Sequence, residues 1–214
     1  MRLRPVIVYG AGGHAKVVID ILEVAGQHTI LGLIDDDPYK IGTFFCGYKV
    51  LGDMRTLQDW QADPPAIILA IGDNHIRSRL AGRLTRFPFT TAVHPTATVA
   101  RKVSVGEGTV MMAHAVINPG AVIGNHVIVN TGAIVDHDCI IGDFVHLSPG
   151  VKLGGHVTIG SKAHVGIGAT VINDVSIGAG SIIGAGAAVV EDVPDGVLAI
   201  GVPAGVIKRV EPIP

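Results

Sequence analysis

The chain has 214 residues, and 16 Lys and Arg residues against 18 Asp and Glu residues give a net charge of −2, which leaves no basic surface for nucleic acid or an anionic membrane. Two widely separated cysteines, and no stretch near the ~20 apolar residues of a membrane span, favour a cytoplasmic protein without a membrane partner. Aromatic residues make up 4% of the chain and 29 residues are glycine, which disfavours a helix-rich core and favours small stacked aliphatic residues.

The first 88 residues alternate predicted strands and helices. Strands are expected at 6–9, 29–34 and 66–71, and helices at 15–25, at 54–61 and from 72–75 to about residue 86. This alternation is typical of a small parallel, Rossmann-like α/β sheet. Residues 87–95, which contain Pro88 and Pro95, are the expected hinge, and the predicted domains are therefore 1–88 and 89–214.

Two loops of the N-terminal domain are expected to bind a nucleotide. Gly12, Gly13 and His14 lie between the first strand and the first helix, where helix amides and the macrodipole attract phosphate. Asp35 and Asp36 follow the second strand, where a carboxylate can accept hydrogen bonds from ribose hydroxyls. A purely structural turn is the alternative. Because the chain leaves the sheet after about four strands, the nucleotide of a sugar donor is favoured over a dinucleotide.

A six-residue repeat covers the second part of the chain. From Val93 to Val189 every sixth residue is aliphatic or Met, at 17 positions without an exception, and a small residue commonly stands four places later. Glycines at 106, 124, 142, 160 and 178 recur every 18 residues, as expected for one corner of a coil of three hexads. The pattern predicts a parallel β-helix of five to six coils, followed by a turn-rich tail.

His137 is the foremost catalytic candidate among the ten histidines. It stands between Asp136 and Asp138, and a neighbouring carboxylate can orient an imidazole and stabilise its protonated form, as a general base requires. One coil further lies Gly155, which is expected to leave space beside the ring. Cys139 occupies an inward small-residue position and is expected to be buried, without a nucleophilic role.

Both domains together resemble the bacterial nucleotide-sugar N-acetyltransferases. The resemblance rests on Tyr-Gly-Ala-Gly-Gly-His at 9–14, Ile-Asp-Asp at 34–36, Ala-Ile-Gly-Asp-Asn-His-Ile-Arg at 70–77 and the hexapeptide segment 130–142. It implies a left-handed β-helix, a homotrimer, and acetyl transfer from acetyl-CoA to the amino group of a nucleotide-linked 4-amino-4,6-dideoxy sugar for glycans and O-antigens. Metal-binding members of this fold pair two histidines five residues apart, a spacing this sequence lacks, so no metal is expected.

The resemblance also implies the roles of individual residues. His137 takes the position of the general base, and Asp138, where the family often has Glu, raises its basicity. Asn130 is implied near the reacting amine and His146 near the acetyl thioester. The pantetheine arm of acetyl-CoA is expected against the backbone of two residues, Ile167 and Ala185. Contacts to the nucleotide and its phosphates are implied for Gly12, Gly13, His14, Asp35, Asp36 and Gly72.

Two other functions remain open on the sequence. O-acetylation of sialic acid or another sugar would use the same base, and the sialic acid O-acetyltransferase-like proteins share this layout, but the nucleotide site would then lack a purpose. A non-catalytic trimeric ligand-binding scaffold would leave the Asp-His-Asp sequence at 136–138 unexplained. The nucleotide itself, UDP, dTDP or GDP, is also left open.

Overall fold

The structure is a computed structural model that describes residues 3–60 and 63–210. The chain forms two compact units, which divide after Pro95. The last residue of the predicted helix at 54–61 lies outside the described residues, as do the outer ends of both predicted domains, 1–2 and 211–214.

The N-terminal unit contains a five-stranded sheet. Its strands are β1 (Arg4–Tyr9), β2 (His28–Ile34), β3 (Phe44–Phe45), β4 (Tyr48–Gly52) and β5 (Ala66–Leu69). They lie in the order β3-β4-β2-β1-β5, and the last four of these run parallel, as predicted. β1 lies between β2 and β5 and is an apolar run whose last four residues are buried, which is the pattern of a parallel strand covered on both faces.

Helices connect these strands. They are α1 (Gly13–Ala25), a 3-10 helix (Met54–Asp59) and α2 (Asn74–Arg83), and a short strand β6 (Ala92–Val93) follows. α1 ends at Ala25 because Gly26 adopts φ 61° and its N–H bonds the carbonyls of Leu22 and Glu23. The helix predicted at 54–61 is a shorter 3-10 helix, because Asp53 accepts a hydrogen bond from the N–H of Arg55 at 2.9 Å and starts a tight turn.

One strand of the sheet departs from the prediction of a purely parallel arrangement. β3 pairs antiparallel with β4 as a hairpin, and neither of these two strands was predicted. Cys46 and Gly47 join the two strands, and both have positive φ, 48° and 81°, as a primed hairpin turn requires. Cysteine rarely adopts this conformation, so the sequence carries no Asn-Gly or Asp-Gly signal for the turn.

The C-terminal unit is a parallel β-helix whose three sheets run along its length. Pairing joins each strand to the strand 18 residues later, as Val116 joins Ile134 and Ile134 joins Lys152. The sixteen two-residue strands β7 to β22 are Thr98–Val99, Ser104–Val105, Val110–Met111, Val116–Ile117, Val122–Ile123, Ile128–Val129, Ile134–Val135, Ile140–Ile141, His146–Leu147, Lys152–Leu153, Thr158–Ile159, His164–Val165, Thr170–Val171, Ser176–Ile177, Ile182–Ile183 and Ala188–Val189. Three strands per coil give the predicted five to six coils, and the hairpin β23 (Val197–Ile200) and β24 (Gly205–Arg209) follows. Every third strand from β7 belongs to the first sheet, every third strand from β8 to the second, and every third strand from β9 to the third.

The interior of the β-helix is built from the predicted positions. From Met111 to Val189 every sixth residue is at most 4% exposed, and the small residues four places later, Cys139 among them, are buried beside them. Val99 and Val105 belong to the same series but are more than a third exposed, because the first coil is covered by another coil on one side only. The core is therefore a column of stacked aliphatic side chains.

The corners of the β-helix explain two features of the composition. Every sixth residue from 102 to 186 has a positive φ, and glycine fills seven of these fifteen corners. The others are Lys102, His114, His126, Asp138, Phe144, His156, Lys162 and Asp174. His and Asp tolerate this left-handed conformation better than most residues, which accounts for part of the histidine content.

The glycines that recur every 18 residues serve close packing between coils. A Cβ on Gly142 would lie 2.7 Å from the backbone N of Ser161, and Gly124 is equally confined by the backbone of Asp143. Successive coils therefore approach too closely for any side chain at these glycine positions.

Among the described residues, no helix is both long and apolar enough to cross a membrane.

Candidate active site

The N-terminal unit has a cleft of about 500 Å³ beside the carboxyl end of its sheet. Tyr9, Gly10, Asp35, Asp36 and Ile71 meet there because β1, β2 and β5 are parallel and end at the same edge.

Helix α2 adds two cations to this cleft. Arg79 and Arg83 line it and lie four residues apart, on one face of the helix. Guanidinium groups suit phosphate oxygens. Sequence reasoning missed both arginines, although their spacing after Gly72 was an available signal.

The glycine-rich turn presents the amino end of α1. Gly12 is the N-cap residue, no side chain caps the helix, and its first turn carries no acidic residue. A Cβ added to Gly12 or Gly13 would meet no atom within 4 Å, whereas one on Gly10 would lie 2.9 Å from the carbonyl oxygen of Ala70. Folding therefore explains the glycine at position 10, and the open space at 12 and 13 suits an anion on the helix amides.

The two predicted ribose-binding carboxylates, Asp35 and Asp36, accept hydrogen bonds from other groups of the same chain. Asp35 Oδ2 accepts hydrogen bonds from the N–H of Ala11 at 2.7 Å and from Nζ of Lys40 at 3.0 Å. Burial opposes its ionisation, but these bonds and the one from the N–H of Asp37 lower its pKa. Asp35 thus fixes the glycine-rich turn to the end of β2.

Both carboxylate oxygens of Asp36 also accept hydrogen bonds. Its Oδ2 accepts a hydrogen bond from the Tyr9 hydroxyl at 2.8 Å, and its Oδ1 accepts one from the N–H of Met54 at 3.1 Å. Burial and then this bond to Asp36 raise the pKa of Tyr9, so the phenol stays a donor. Asp36 is exposed and retains room for a further donor.

Gly72 lies in a loop held by a buried arginine, whose charge also acts on His14 in the first turn of α1. Arg77 is 1% exposed and donates from Nη1 to the carbonyls of Ile71 and Gly72, at 3.0 and 3.1 Å, and from Nη2 to Asn74. Burial, and then the charge of Arg77, lower the pKa of His14 to about 4, so its ring is neutral at pH 7. The buried cation favours an anionic ligand at this edge of the sheet.

In the β-helix, His137 forms a dyad with the residue that follows it. Its Nδ1 lies 2.9 Å from Oδ2 of Asp138, and both side chains are about half exposed. The hydrogen bond to Asp138, supported by the charges of Asp136 and Asp174, raises the pKa of His137. The same bond lowers the pKa of Asp138, so the carboxylate stays ionised as the partner of the imidazole.

The surroundings of the dyad hold it in place. A Cβ on Gly155 would lie 2.6 Å from Cε1 of His137, so the absence of a side chain at 155 admits the ring. Asp136 Oδ1 accepts hydrogen bonds from the N–H of His137 and from Nδ2 of Asn118, both at 2.7 Å, and its pKa is lowered. The contact of Asn118, one coil before Asp136, was not inferred from the sequence.

Two further residues join the dyad from the next coils. His156 stands 18 residues after Asp138, and its Nε2 lies 3.4 Å from Oδ2 of that carboxylate. Its Nδ1 lies 3.1 Å from Oδ1 of Asp174, another 18 residues on. The rings of His137 and His156 meet edge to face, 5.2 Å between centroids. Sequence reasoning missed His156 and Asp174, although the 18-residue spacing was available.

Asn130 and His146 form a second cluster on the third sheet of the β-helix. Asn130 Nδ2 donates to Nε2 of His146 at 3.1 Å. The ring of His146 stacks on that of His164, with centroids 4.8 Å apart, and Nε2 of His164 lies 2.9 Å from the Ser148 hydroxyl. The stacking follows from the predicted 18-residue offset, because these residues are paired in adjacent strands.

Ile167 and Ala185 lie at a corner beside this sheet. Both are exposed, and the carbonyl of Ile167 accepts a hydrogen bond from the N–H of Gly186 at 2.8 Å, which joins the two coils.

Cys139 is buried, and its Sγ lies 3.2 Å from the carbonyl oxygen of Gly154. Burial raises the pKa of this thiol and so disfavours the thiolate, the nucleophilic form.

The His137, Asp138 and His156 side chains place potential metal-ligand atoms within 4.8 Å of one another. Imidazole nitrogens with a carboxylate are also ligands of transition metals. The same contacts are accounted for as hydrogen bonds and ion pairs between imidazole and carboxylate, which is the arrangement that acid–base chemistry needs.

Comparison with known proteins places these features in a family. The family model of the PglD N-terminal domain matches residues 5–84. The crystal structure of a perosamine N-acetyltransferase variant from Caulobacter crescentus, in complex with CoA and GDP-perosamine, is 42% identical, covers 97% of this chain and 99% of that chain, and has a TM-score of 0.90. The acetyltransferase domain of PglB from Neisseria gonorrhoeae, in complex with acetyl coenzyme A, is 36% identical over 96% of this chain and all of that chain, with a TM-score of 0.89.

A curated relative agrees. UDP-N-acetylbacillosamine N-acetyltransferase of Bacillus subtilis is 38% identical over 116 residues, a match that spans about half of this chain and about half of that protein. The fold and these relatives define a hexapeptide-repeat acyltransferase with a left-handed β-helix, as predicted. The chain belongs to the N-acetyltransferases that act on nucleotide-linked amino sugars, and the resemblance seen in the sequence is confirmed.

Proposed function

We propose that this protein transfers the acetyl group of acetyl-CoA to the amino group of a nucleotide-linked 4-amino-4,6-dideoxy sugar, with His137 as the general base. The observation that carries the proposal is the 2.9 Å contact between Nδ1 of His137 and Asp138 on an exposed corner of the β-helix. The family membership supports acetyl-CoA and an amino sugar as the substrates.

The chemistry needs a base because an amine attacks only when it is unprotonated. Nδ1 of His137 donates a hydrogen bond to Asp138, so Nε2 keeps its lone pair. Nε2 then accepts a proton from the amine as the N–C bond forms. The tetrahedral intermediate then expels the CoA thiolate, which takes that proton and leaves as the thiol. Direct transfer is consistent with the burial of Cys139. Much of the remaining rate enhancement comes from holding both substrates together.

The two ligands are assigned to different parts of the chain. The predicted domain 1–88 binds the nucleotide sugar, with its diphosphate on the amino end of α1 at Gly12, Gly13 and His14. Arg79 and Arg83 are added to the implied contacts Asp35, Asp36 and Gly72, because they line the same cleft. The predicted domain 89–214 carries out acetyl transfer and needs no metal.

Acetyl-CoA is assigned to the corner and sheet that carry the second cluster. Ile167 and Ala185 offer exposed backbone on successive coils for the pantetheine arm. His146 lies beside the thioester, and its bond from Asn130 leaves the His146 proton on Nδ1. Asn130 is assigned to the amine end of the same site.

We also propose a homotrimer that works in the cytoplasm. The family resemblance suggests three copies, and exposed apolar residues on one sheet, Val122 and Ile140, support an interface between copies. The two widely separated cysteines favour a reducing compartment such as the cytoplasm. The acetylated sugar would then serve the synthesis of glycans such as O-antigen.

Steady-state turnover tests the function. CoA release is measured with UDP-, dTDP- and GDP-linked 4-amino sugars, and with the free amino sugar and sialic acid as controls. We expect turnover with one nucleotide sugar, and a loss of kcat on the order of 100- to 10,000-fold in His137→Ala with an unchanged melting temperature. Faster acetylation of a free hydroxyl sugar, or normal turnover by His137→Ala, would overturn the proposal.

A further inference from the structure

Asp138, His156 and Asp174 form a ladder along one corner of the β-helix. They are 18 residues apart, and their φ values of 57°, 59° and 60° are nearly identical. The backbone at this corner is fixed by hydrogen bonds between coils, from the N–H of His156 to the carbonyl of His137 and from that of Asp174 to Gly155, both at 3.0 Å. Residues in the same conformation on neighbouring coils project in parallel, about 4.8 Å apart.

The ladder alternates carboxylate, imidazole, carboxylate. Nε2 of His156 faces Asp138 at 3.4 Å and Nδ1 faces Asp174 at 3.1 Å. Both ring nitrogens are thus directed at carboxylates, so the orientation of the ring is determined from two sides. An imidazole between the two carboxylates keeps like charges apart, whereas two carboxylates in register on adjacent coils would repel each other.

Asp138 needs such support because its side chain is more than half exposed. An exposed carboxylate gains little from a single ion pair, since water competes and the side chain must give up its freedom to rotate. The same Oδ2 atom of Asp138 receives both Nδ1 of His137 and Nε2 of His156. The charged groups around His137 are therefore Asp136, Asp138 and Asp174, with His156 between the last two.

We propose that His156, anchored by Asp174, is a positioning residue that holds Asp138 in the orientation in which it accepts the Nδ1 proton of His137. This inference rests on the proposed function, because it concerns the base of that reaction. His156 acts through Asp138 and does not touch the substrate. Replacing His156 should therefore lower kcat. This loss should disappear when Asp138 is replaced by a residue that cannot carry the charge.

A double-mutant cycle tests this dependence. His156→Asn and Asp174→Asn keep the left-handed corner, because Asn tolerates a positive φ. We expect kcat to fall about tenfold in His156→Asn and less in Asp174→Asn, within the range of coupling between contacting residues, with both KM values within about twofold of wild type. In an Asp138→Asn background, His156→Asn should lower kcat by less than about twofold more.

A corner histidine elsewhere provides the matched control. His114 is exposed and has φ 59°, but it lies on a different corner, so His114→Asn should change neither kcat nor the melting temperature. Wild-type kcat in His156→Asn, or an equal loss with and without Asp138, would overturn the positioning role. If His156→Asn does not fold, the same cycle with Asp174→Asn decides. Failure of the proposed function would instead appear as normal turnover in His137→Ala.

Discussion

The hydrogen bond between Nδ1 of His137 and Oδ2 of Asp138 joins two residues that are adjacent in the sequence. It is short because Asp138 adopts the left-handed conformation of a β-helix corner, φ 57°, which brings the carboxylate back to the preceding ring. Gly120, one coil before, gives Asp138 room, since a Cβ there would contact Oδ1. The shorter Asp in place of Glu thus still reaches the imidazole.

Replacing this carboxylate should move the pH dependence. As the proposed base, His137 would act when it is unprotonated, so its raised pKa should place the acid limb of kcat/KM above the ordinary histidine value of about 6.5. In Asp138→Asn we expect the limb to shift to lower pH and the plateau of kcat/KM to fall. Rates across a pH series, with enzyme integrity checked at each pH, measure both. A limb that stays in place in Asp138→Asn would assign the titration to another group.

Gly155 offers a test of ring placement that leaves the dyad chemically intact. In Gly155→Ala the added Cβ would meet the His137 ring at 2.6 to 2.7 Å, so the ring must move away from its place beside Asp138. We expect kcat to fall by about tenfold or more, because displacements near 1 Å have costs of that order. Acetyl-CoA binding, followed by calorimetry, should be unchanged. Full activity in Gly155→Ala would show that the ring sits elsewhere during catalysis.

The individual site residues differ in how far the sequence could identify them. Asp136 and Asp138 beside His137 are visible by eye, and the 18-residue offset leads to Gly155. The same offset leads from Asp138 to His156 and Asp174, so the sequence already indicates that these residues are neighbours. The directions of the ring nitrogens of His156 could not be predicted, because they depend on side-chain rotation about a corner conformation that the sequence does not specify.

At the scale of elements, the glycine-rich turn and α1 form a unit with Asp35. Since Asp35 Oδ2 accepts from the N–H of Ala11, the end of β2 holds the loop that precedes the helix. The sequence indicates that a carboxylate stands near this loop. It does not indicate that both oxygens are used by the chain itself, because those contacts depend on the paths of the Asp37–Lys40 segment and the turn.

A substitution at the amino end of α1 should separate folding from nucleotide binding. A Cβ on Gly13 meets no protein atom, and Ala is a better helix former than Gly, so Gly13→Ala should be as stable as wild type or slightly more stable. In the proposed complex the methyl group would occupy phosphate space, and we expect KM for the nucleotide sugar to rise about tenfold or more, with KM for acetyl-CoA unchanged. Equal changes in both KM values would contradict the assignment of this loop.

The two units differ in how much of their structure the sequence specifies. A six-residue period fixes strand, corner and register of the β-helix together, because a shift by one residue would expose the whole interior. In the N-terminal unit the hairpin β3–β4 depends on Cys46 in a conformation that its residue type does not favour. Local pattern alone therefore predicts the β-helix coil by coil and misses both strands of that hairpin.

At the scale of the whole molecule, the apolar part of the second sheet is confined to two coils. The outward residues of its five strands are Ser104, Val122, Ile140, Thr158 and Ser176, and among them Val122 and Ile140 are paired neighbours, 45% and 53% exposed. Polar residues on both sides mark this patch as distinct from the rest of the sheet.

Oligomeric state tests the role of that patch. Wild type should sediment as a trimer at micromolar concentration, and Ile140→Lys should shift the population to monomers, because an interface rarely buries an unpaired charge. Thr170→Lys, an exposed position on the first sheet, is the control and should remain trimeric. A wild-type monomer would contradict the trimer, and a trimeric Ile140→Lys variant would place the interface on another face.

The 18-residue recurrence also sets a rule for how this molecule can change in length during evolution. Tandem duplication of a full coil beyond Asp174 would lengthen the β-helix and leave every neighbour of His137 in place. An insertion of six residues between Asp138 and His156 would preserve the hydrophobic interior equally well, yet carry the imidazole to the next corner, a third of a turn away. The core accepts indels in units of six, whereas the ladder beside His137 accepts them only outside the segment from Asp138 to Asp174.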